Sequence, residues 1–230
     1  MPLASLKKDL QKFADPKRAK LFLRFFKTGR GEYGEGDEFL GLTVPQVRSV
    51  VKKYQDLSLT DIQKLLHSPY HEHRLTALLI LVEQFKKNKS YRIYMLYKAN
   101  TRYINNWDLV DLSAPHIVGG YLLDKSRKIL YRLARSKLLW DRRIAILATF
   151  AFIRNGDLVD CLRIARVLLK DKEDLMNKAV GWMLREVGKK NIKVLENFLE
   201  ENVYKMPRTC LRYSIEKFSE VKRQYWLKKP

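Results

Sequence analysis

Along almost the whole chain apolar residues recur three and four positions apart, while the strict alternation of a half-buried strand is scarce. The pattern predicts an all-α protein. Helix starts are marked where Asp15-Pro16, Thr43-Val-Pro45, Thr60-Asp61, Ser68-Pro69 and Met206-Pro207 fall. Each suits an N-cap or first turn, because Ser, Thr and Asp accept the orphan amides there and proline has no amide to leave unpaired. The segments between marks predict helices of about 12 to 18 residues.

A longer period lies over this one. Arg74 leads LTALLILV, Asp108 leads LVDL, Arg143 leads IAILATF, Lys178 leads AVGWML and Arg208 leads TCLRYSI. These marks recur about every 35 residues, the signature of a helical solenoid of the HEAT, armadillo or TPR kind with two helices per unit. A charged residue opening each unit should form a polar row on one rim, with the apolar residues after it buried. Such stacks offer a concave surface. No Pro-, Gly- or Ser-rich linker divides the chain, so residues 1–230 are expected to form a single domain.

One segment escapes the helical pattern. Thr28 to Phe39 (TGRGEYGEGDEF) contains G-x-G-x-x-G at Gly29, Gly31 and Gly34. That spacing signifies a dinucleotide site only between a strand and a helix. LFLRFFK precedes it and reads as helix, so an exposed, flexible loop near the functional face is expected instead.

Charge changes the picture most. The 230 residues hold 46 Lys and Arg against 25 Asp and Glu, a net +21, which favours a polyanionic partner. Nucleic acid comes first. The longest apolar run, Ile144 to Ile153, is about half of the roughly 20 residues a spanning helix needs. Lysines occupy the place of a secretory signal's apolar segment. The expectation is a cytoplasmic, nucleoid-associated protein without membrane contact. Lys125, Lys128, Arg132 and Arg135 predict a cationic stripe on one helix, and Arg163, Arg166 and Lys170 a second. The tail adds Lys222, Arg223, Lys228 and Lys229 around Tyr225 and Trp226. A solvated surface is the plain alternative for all of these, but the net charge shifts the balance towards phosphates. Cys161 and Cys210 are expected to be reduced and structural. His67, His71 and His73 are expected to be exposed first-turn residues rather than a metal site.

The stretch INNWDLVDL, residues 104–112, has a chemical look. With Asn105 or Asn106 as cap, Asp108 falls in the first turn and meets the helix dipole. Asp111 lies a turn deeper and gains little from it. Trp107 and Asp111 are i and i+4, so they share a face away from Leu109 and Leu112. In KAVGWMLRE, residues 178–186, Lys178, Trp182 and Arg185 share one face and Val180, Met183 and Leu184 the other. Gly181, which costs a helix interior roughly 1 kcal/mol against Ala, implies a close approach by another backbone or a ligand. Both tryptophans could simply fill gaps between helices, which is the expectation for Trp140 and Trp226.

Together WDLVD (107–111), WDRRIAIL (140–147), KAVGWMLRE (178–186) and FLGLTVP (39–45) resemble the AlkD-type DNA alkylation repair glycosylases over nearly the whole chain. The resemblance implies a HEAT-like solenoid whose concave basic face holds duplex DNA. It implies hydrolysis of the N-glycosidic bond of cationic N3- or N7-alkylated purines, without metal or cofactor and as a monomer. Asp111 matches the catalytic aspartate, Trp107 and Trp182 the aromatic site residues, and Arg143 a phosphate-contacting arginine. Lys178, Arg185, Arg74, Phe25 and Thr43 are further expected DNA contacts. Phe25 stands where the family has a tyrosine, Asn106 where some members have another tryptophan, and the Gly-rich segment is longer. A cationic purine leaves as a neutral base and needs no general acid, so one carboxylate can suffice. The same fold without the chemistry would be a nucleic-acid-binding module or an acidic-protein-binding solenoid.

Overall fold

The computed structural model describes residues 2–229. Those residues are helical, and their one β feature is an isolated parallel bridge between Glu38 and Tyr70. They group into two compact units, the first ending at Ile117 and the second beginning at Val118.

The first unit holds α1 (Leu3–Gln11), α2 (Pro16–Phe25), α3 (Val44–Val51), α4 (Leu59–Leu66), α5 (His71–Asn88), α6 (Tyr91–Ala99) and α7 (Trp107–Asp111). Asp15 caps α2 as expected, accepting from the Arg18 amide with Pro16 at the first helical position. Thr43 caps α3, and its amide and hydroxyl both donate to the Gln46 side chain. Ser58, two positions before the expected mark, caps α4 through the Asp61 amide. Ser68-Pro69 does not open a helix: the chain stays extended to Tyr70, because Glu38 pairs with it on both sides (Glu38 N to Pro69 O 3.1 Å, His71 N to Glu38 O 2.8 Å). Helix α5 packs against α3, α4 and α7, and its residues from His71 to Val82 are all buried.

The second unit holds α8 (Lys128–Leu133), α9 (Leu139–Arg154), α10 (Val159–Leu168), α11 (Asp174–Lys190), α12 (Ile192–Asn202), α13 (Arg208–Ser214) and α14 (Glu220–Lys228). Helix α9 packs on α8, α10 and α11, and α11 on α12 and α13. The close approach implied by Gly181 is a backbone: a Cβ there would lie 2.5 Å from the Cys210 carbonyl oxygen and 2.5 Å from Tyr213 Cβ, both on α13. Trp140 and Trp226 are buried, as are both cysteines, whose thiols burial pushes up to about 12.

The five repeat marks fall within the first five residues of α5, α7, α9, α11 and α13, every second helix, as a helical repeat requires. Their charged openers do not form the expected polar row. Arg74, Asp108 and Arg143 are 4%, 7% and 4% exposed, because these helices are enclosed by neighbours. Helix lengths also depart from expectation: α7, α8 and α13 have only 5, 6 and 7 residues. Since α8 spans only Lys128–Leu133, the predicted Lys125-to-Arg135 stripe is not one helix face.

Candidate active site

In the first unit the site is built on α7, a single turn opened by Asn106, whose side-chain oxygen accepts from the Trp107 amide at 2.8 Å. Trp107 and Asp111 are half-buried at its two ends, while Leu109 is fully buried and Leu112 half-buried. The Trp107 indole stacks on Phe26 (centroids 5.7 Å apart, planes at 25°) and meets Phe25 edge-on at 6.0 Å. Phe25 is 61% exposed.

Beneath this lies a buried ionic cluster. His71 places Nε2 2.8 Å from an Asp108 carboxylate oxygen and Nδ1 3.4 Å from one of Asp37. Arg74 reaches the other Asp37 oxygen at 2.6 Å, and the Asn105 amide donates to it at 2.9 Å. Burial alone would lower the pKa of His71. The charge and hydrogen bond of Asp108, joined by Asp37, outweigh that and push it up to about 9. Burial likewise opposes ionisation of Asp37, yet His71, Arg74 and Asn105 hold its carboxyl below the usual range. Two positions on, burial and the nearby Lys7 and Arg74 lower His73 to about 4, and its Nδ1 lies 2.7 Å from the Ser68 hydroxyl oxygen. The expectation that His71 and His73 are exposed is therefore overturned: both are buried, the first with its pKa raised and the second with its pKa lowered.

The Gly-rich segment is largely exposed, as expected, and its chain is folded into a turn. Gly29 N donates to Glu32 at 2.8 Å, Gly31 N to Glu35 at 2.9 Å and Gly34 N to the Lys27 carbonyl at 3.0 Å. Any Cβ at Gly34 would lie 2.5 Å from the Phe26 carbonyl oxygen, so the turn needs glycine there. It ends by delivering Asp37 to the cluster. Next to it, the buried Glu72 carboxylate accepts from the amides of Leu40, Gly41 and Leu42 at 2.9, 2.8 and 3.1 Å, tying the segment to α5.

In the second unit Trp182 is half-buried on α11, its ring 6.1 Å from Phe150. Its indole N–H donates to Glu186 at 3.2 Å. Glu186 also accepts from Lys189 at 2.7 Å and lies 3.4 Å from Arg185, which pairs with Glu216. Lys178 pairs with Asp174 at 2.7 Å.

The expected DNA contacts divide accordingly. Phe25 is open, Lys178 and Arg185 are half-exposed, and the Thr43 hydroxyl is taken by Gln46. Arg74 is corrected: it is enclosed, donates to the Ser68 and Pro69 carbonyls at 2.8 and 2.9 Å, and serves Asp37. Arg143 is also enclosed and donates to the Leu175 carbonyl at 2.6 Å. Several other predicted cations are spent on acids, Arg166 on Glu201, Lys222 on Glu196 and Lys229 on Glu200. Sequence reasoning placed a helix at α2 but missed its open cationic surface. This helix buries none of its residues, leaving Leu21 68% and Leu23 41% exposed beside Lys17, Lys20 and Arg24, with Lys27 just beyond. A helix that keeps apolar and cationic residues together in the open was legible as such in PKRAKLFLRF.

These are the parts of an all-helical protein with two half-buried tryptophans on α7 and α11 and an exposed cationic helix. The DNA alkylation repair enzyme family profile matches residues 6–218, and the chain belongs to that family. A solved structure described as a predicted DNA alkylation repair enzyme from Enterococcus faecalis is similar with a TM-score of 0.74. It is 18% identical, and the alignment covers 90% of this chain and 97% of that one. No curated protein gives a match.

Proposed function

We propose that this family member is a monofunctional DNA glycosylase, acting as one functional domain on cationic N3- or N7-alkylated purines in duplex DNA. One observation carries the reading: Trp107 and Asp111 stand half-exposed on a one-turn helix set on a buried ionic support. An indole beside a carboxylate suits a cation without a general acid.

In the proposed reaction the C1′–N bond of the alkylated nucleotide breaks with its electrons going to the purine. The purine's charge is thereby cancelled and it departs neutral. The deoxyribose becomes oxocarbenium-like, and Asp111 stabilises that charge and orients a water. The water oxygen bonds to C1′ and its proton passes to Asp111 or to solvent, leaving an abasic site. Trp107 favours the developing cation through its π face, and Trp182, on the second unit, is proposed as a further aromatic contact to DNA. Phe25 and the open cations of α2 in the first unit, and Lys178 and Arg185 in the second, are the proposed DNA contacts.

Asp111→Asn tests this. Wild type should release 7-methylguanine or 3-methyladenine from methylated duplex, and the variant should lose at least about 100-fold in rate while keeping duplex affinity. No release by wild type, with tight salt-dependent binding, would instead favour a non-catalytic nucleic-acid-binding module.

A further inference from the structure

We propose that the His71 imidazolium is a positioning residue that sets the Trp107 indole and the α7 turn carrying Asp111. The consequence for base release rests on the glycosylase reading; the consequence for Trp107 does not.

Helix α7 is too short to hold its own geometry, since one turn barely offsets the cost of starting a helix. Its attachments must come from outside. His71 supplies one directly, through the 2.8 Å hydrogen bond from Nε2 to Asp108, whose other oxygen accepts from the Leu109 amide at 2.9 Å. It supplies a second through its ring. The imidazole lies against Phe26 (centroids 4.8 Å apart, 32°) and stacks on Phe39 (4.9 Å, 23°), and Phe26 in turn stacks on the Trp107 indole. Backbone and indole of the site segment thus share one neighbour.

That neighbour must be charged to serve both Asp108 and Asp37. Each ring nitrogen faces a carboxylate oxygen, and only the doubly protonated ring can donate to two acceptors. The groups facing it are all accounted for: Asp37 from the Gly-rich turn, Asp108 from α7, and Arg74 from α5. The Glu72 oxygens are turned to the Leu40, Gly41 and Leu42 amides, and Asn105 donates to Asp37. Two carboxylates therefore meet two cations in a nearly dry space. Losing the His71 proton leaves an excess negative charge and one nitrogen without a hydrogen to donate, so the clamp on α7 loosens.

The experiment uses the whole chain with 5-fluorotryptophan and labelled histidine. The Trp107 fluorine resonance is assigned with Trp107→Phe, and single-turnover release of 7-methylguanine is followed against pH. The Trp107 resonance should shift with the same alkaline midpoint as His71, and release should fall there. Asp37→Asn removes one of the two carboxylates without removing the ring, so both midpoints should move together towards neutrality by about one pH unit or more. His71→Gln should slow release by about tenfold or more with duplex affinity changed less than about twofold. Should His71→Gln fail to fold, the wild-type and Asp37→Asn titrations still decide. A Trp107 resonance indifferent to His71 titration, or an alkaline limb that ignores Asp37→Asn, overturns the proposal. If wild type releases no base but the Trp107 resonance follows His71, the glycosylase reading fails and the positioning role stands.

Discussion

Trp107 and Trp182 both sit on helices that carry a repeat mark, Trp107 at the first residue of α7 and Trp182 in the middle of α11, and their supports differ in kind. Trp107 rests on Phe26 above four buried ionic side chains from three segments of chain. Trp182 is tethered by its indole N–H to Glu186, which shares a partly exposed ladder with Lys189, Arg185 and Glu216. A buried cluster holds a geometry firmly and is costly to break, because any partner removed strands a charge away from water. A partly solvated ladder is screened and replaceable. The first tryptophan should accordingly be fixed and the second adjustable.

The sharpest way to break that comparison is to remove one acid from each support. Asp37→Ala leaves two buried cations facing the single carboxylate of Asp108 and should destabilise the protein by about 3–5 kcal/mol in urea unfolding. A loss below about 1 kcal/mol would show that the cluster is no stiffer than the ladder. The second test is pH. His71 has its pKa raised in the fold, so its stabilisation is complete below the unfolded value near 6.5 and is lost as pH rises through about 9. The loss should be on the order of 3 kcal/mol, read as a falling urea midpoint. His73 acts in the opposite range: its lowered pKa means that stability falls as pH drops from 6.5 towards about 4. Asp37, lowered in the fold, adds to that acid-side loss below its unfolded value of 3.8. If the midpoint stays level across the alkaline range, His71 is not the cation described above.

Much of this was legible in sequence, and the part that was not has a physical cause. Helical periodicity, the repeat, the Asp15 and Thr43 caps and the buried Trp140 and Trp226 all follow from spacing, which is a local property. The shared half-exposure of Trp107 and Asp111 follows from i,i+4 geometry alone. The buried cluster does not, since Asp37, His71 and Asp108 meet only through the tertiary fold. A hint existed: His71-Glu-His-Arg74 is a polar run leading straight into LTALLILV, and polar residues opening an enclosed helix require partners. Cation stripes misled for the converse reason. A wheel shows which residues align, but not that Arg166 finds Glu201 from another helix.

A smaller effect is expected where the second unit is tight. Trp182 follows Gly181, at which α11 and α13 touch through backbone, so Gly181→Ala must push the Cys210 carbonyl and Tyr213 away. The gain in helix propensity, about 1 kcal/mol, is then opposed by an overpacking cost of about 1–3 kcal/mol. Net destabilisation of about 0–2 kcal/mol is expected, with α13 amides exchanging faster. A clear gain in stability would mean that α13 yields freely and that this support too is adjustable.

The smallest effect belongs to the ladder itself. Glu186→Gln keeps an acceptor for the Trp182 indole but removes the charge that holds Lys189 and Arg185. Glu186 is only 12% exposed, whereas Lys189 and Glu216 at the ends of the ladder are each nearly half open to solvent. Because its pair with Arg185 is long at 3.4 Å and its Lys189 partner is solvated, its ion pairs should be worth less than about 1 kcal/mol. Most of the difference between variant and wild type should vanish at high salt. Trp182 fluorescence, isolated with the other three tryptophans replaced by phenylalanine, should change little at low salt and match wild type in 1 M chloride, about the strength at which the Debye length shrinks to roughly 3 Å. A loss of several kcal/mol persisting in salt would place Glu186 in the same class as Asp37, and the contrast between a fixed and an adjustable tryptophan would have to be given up.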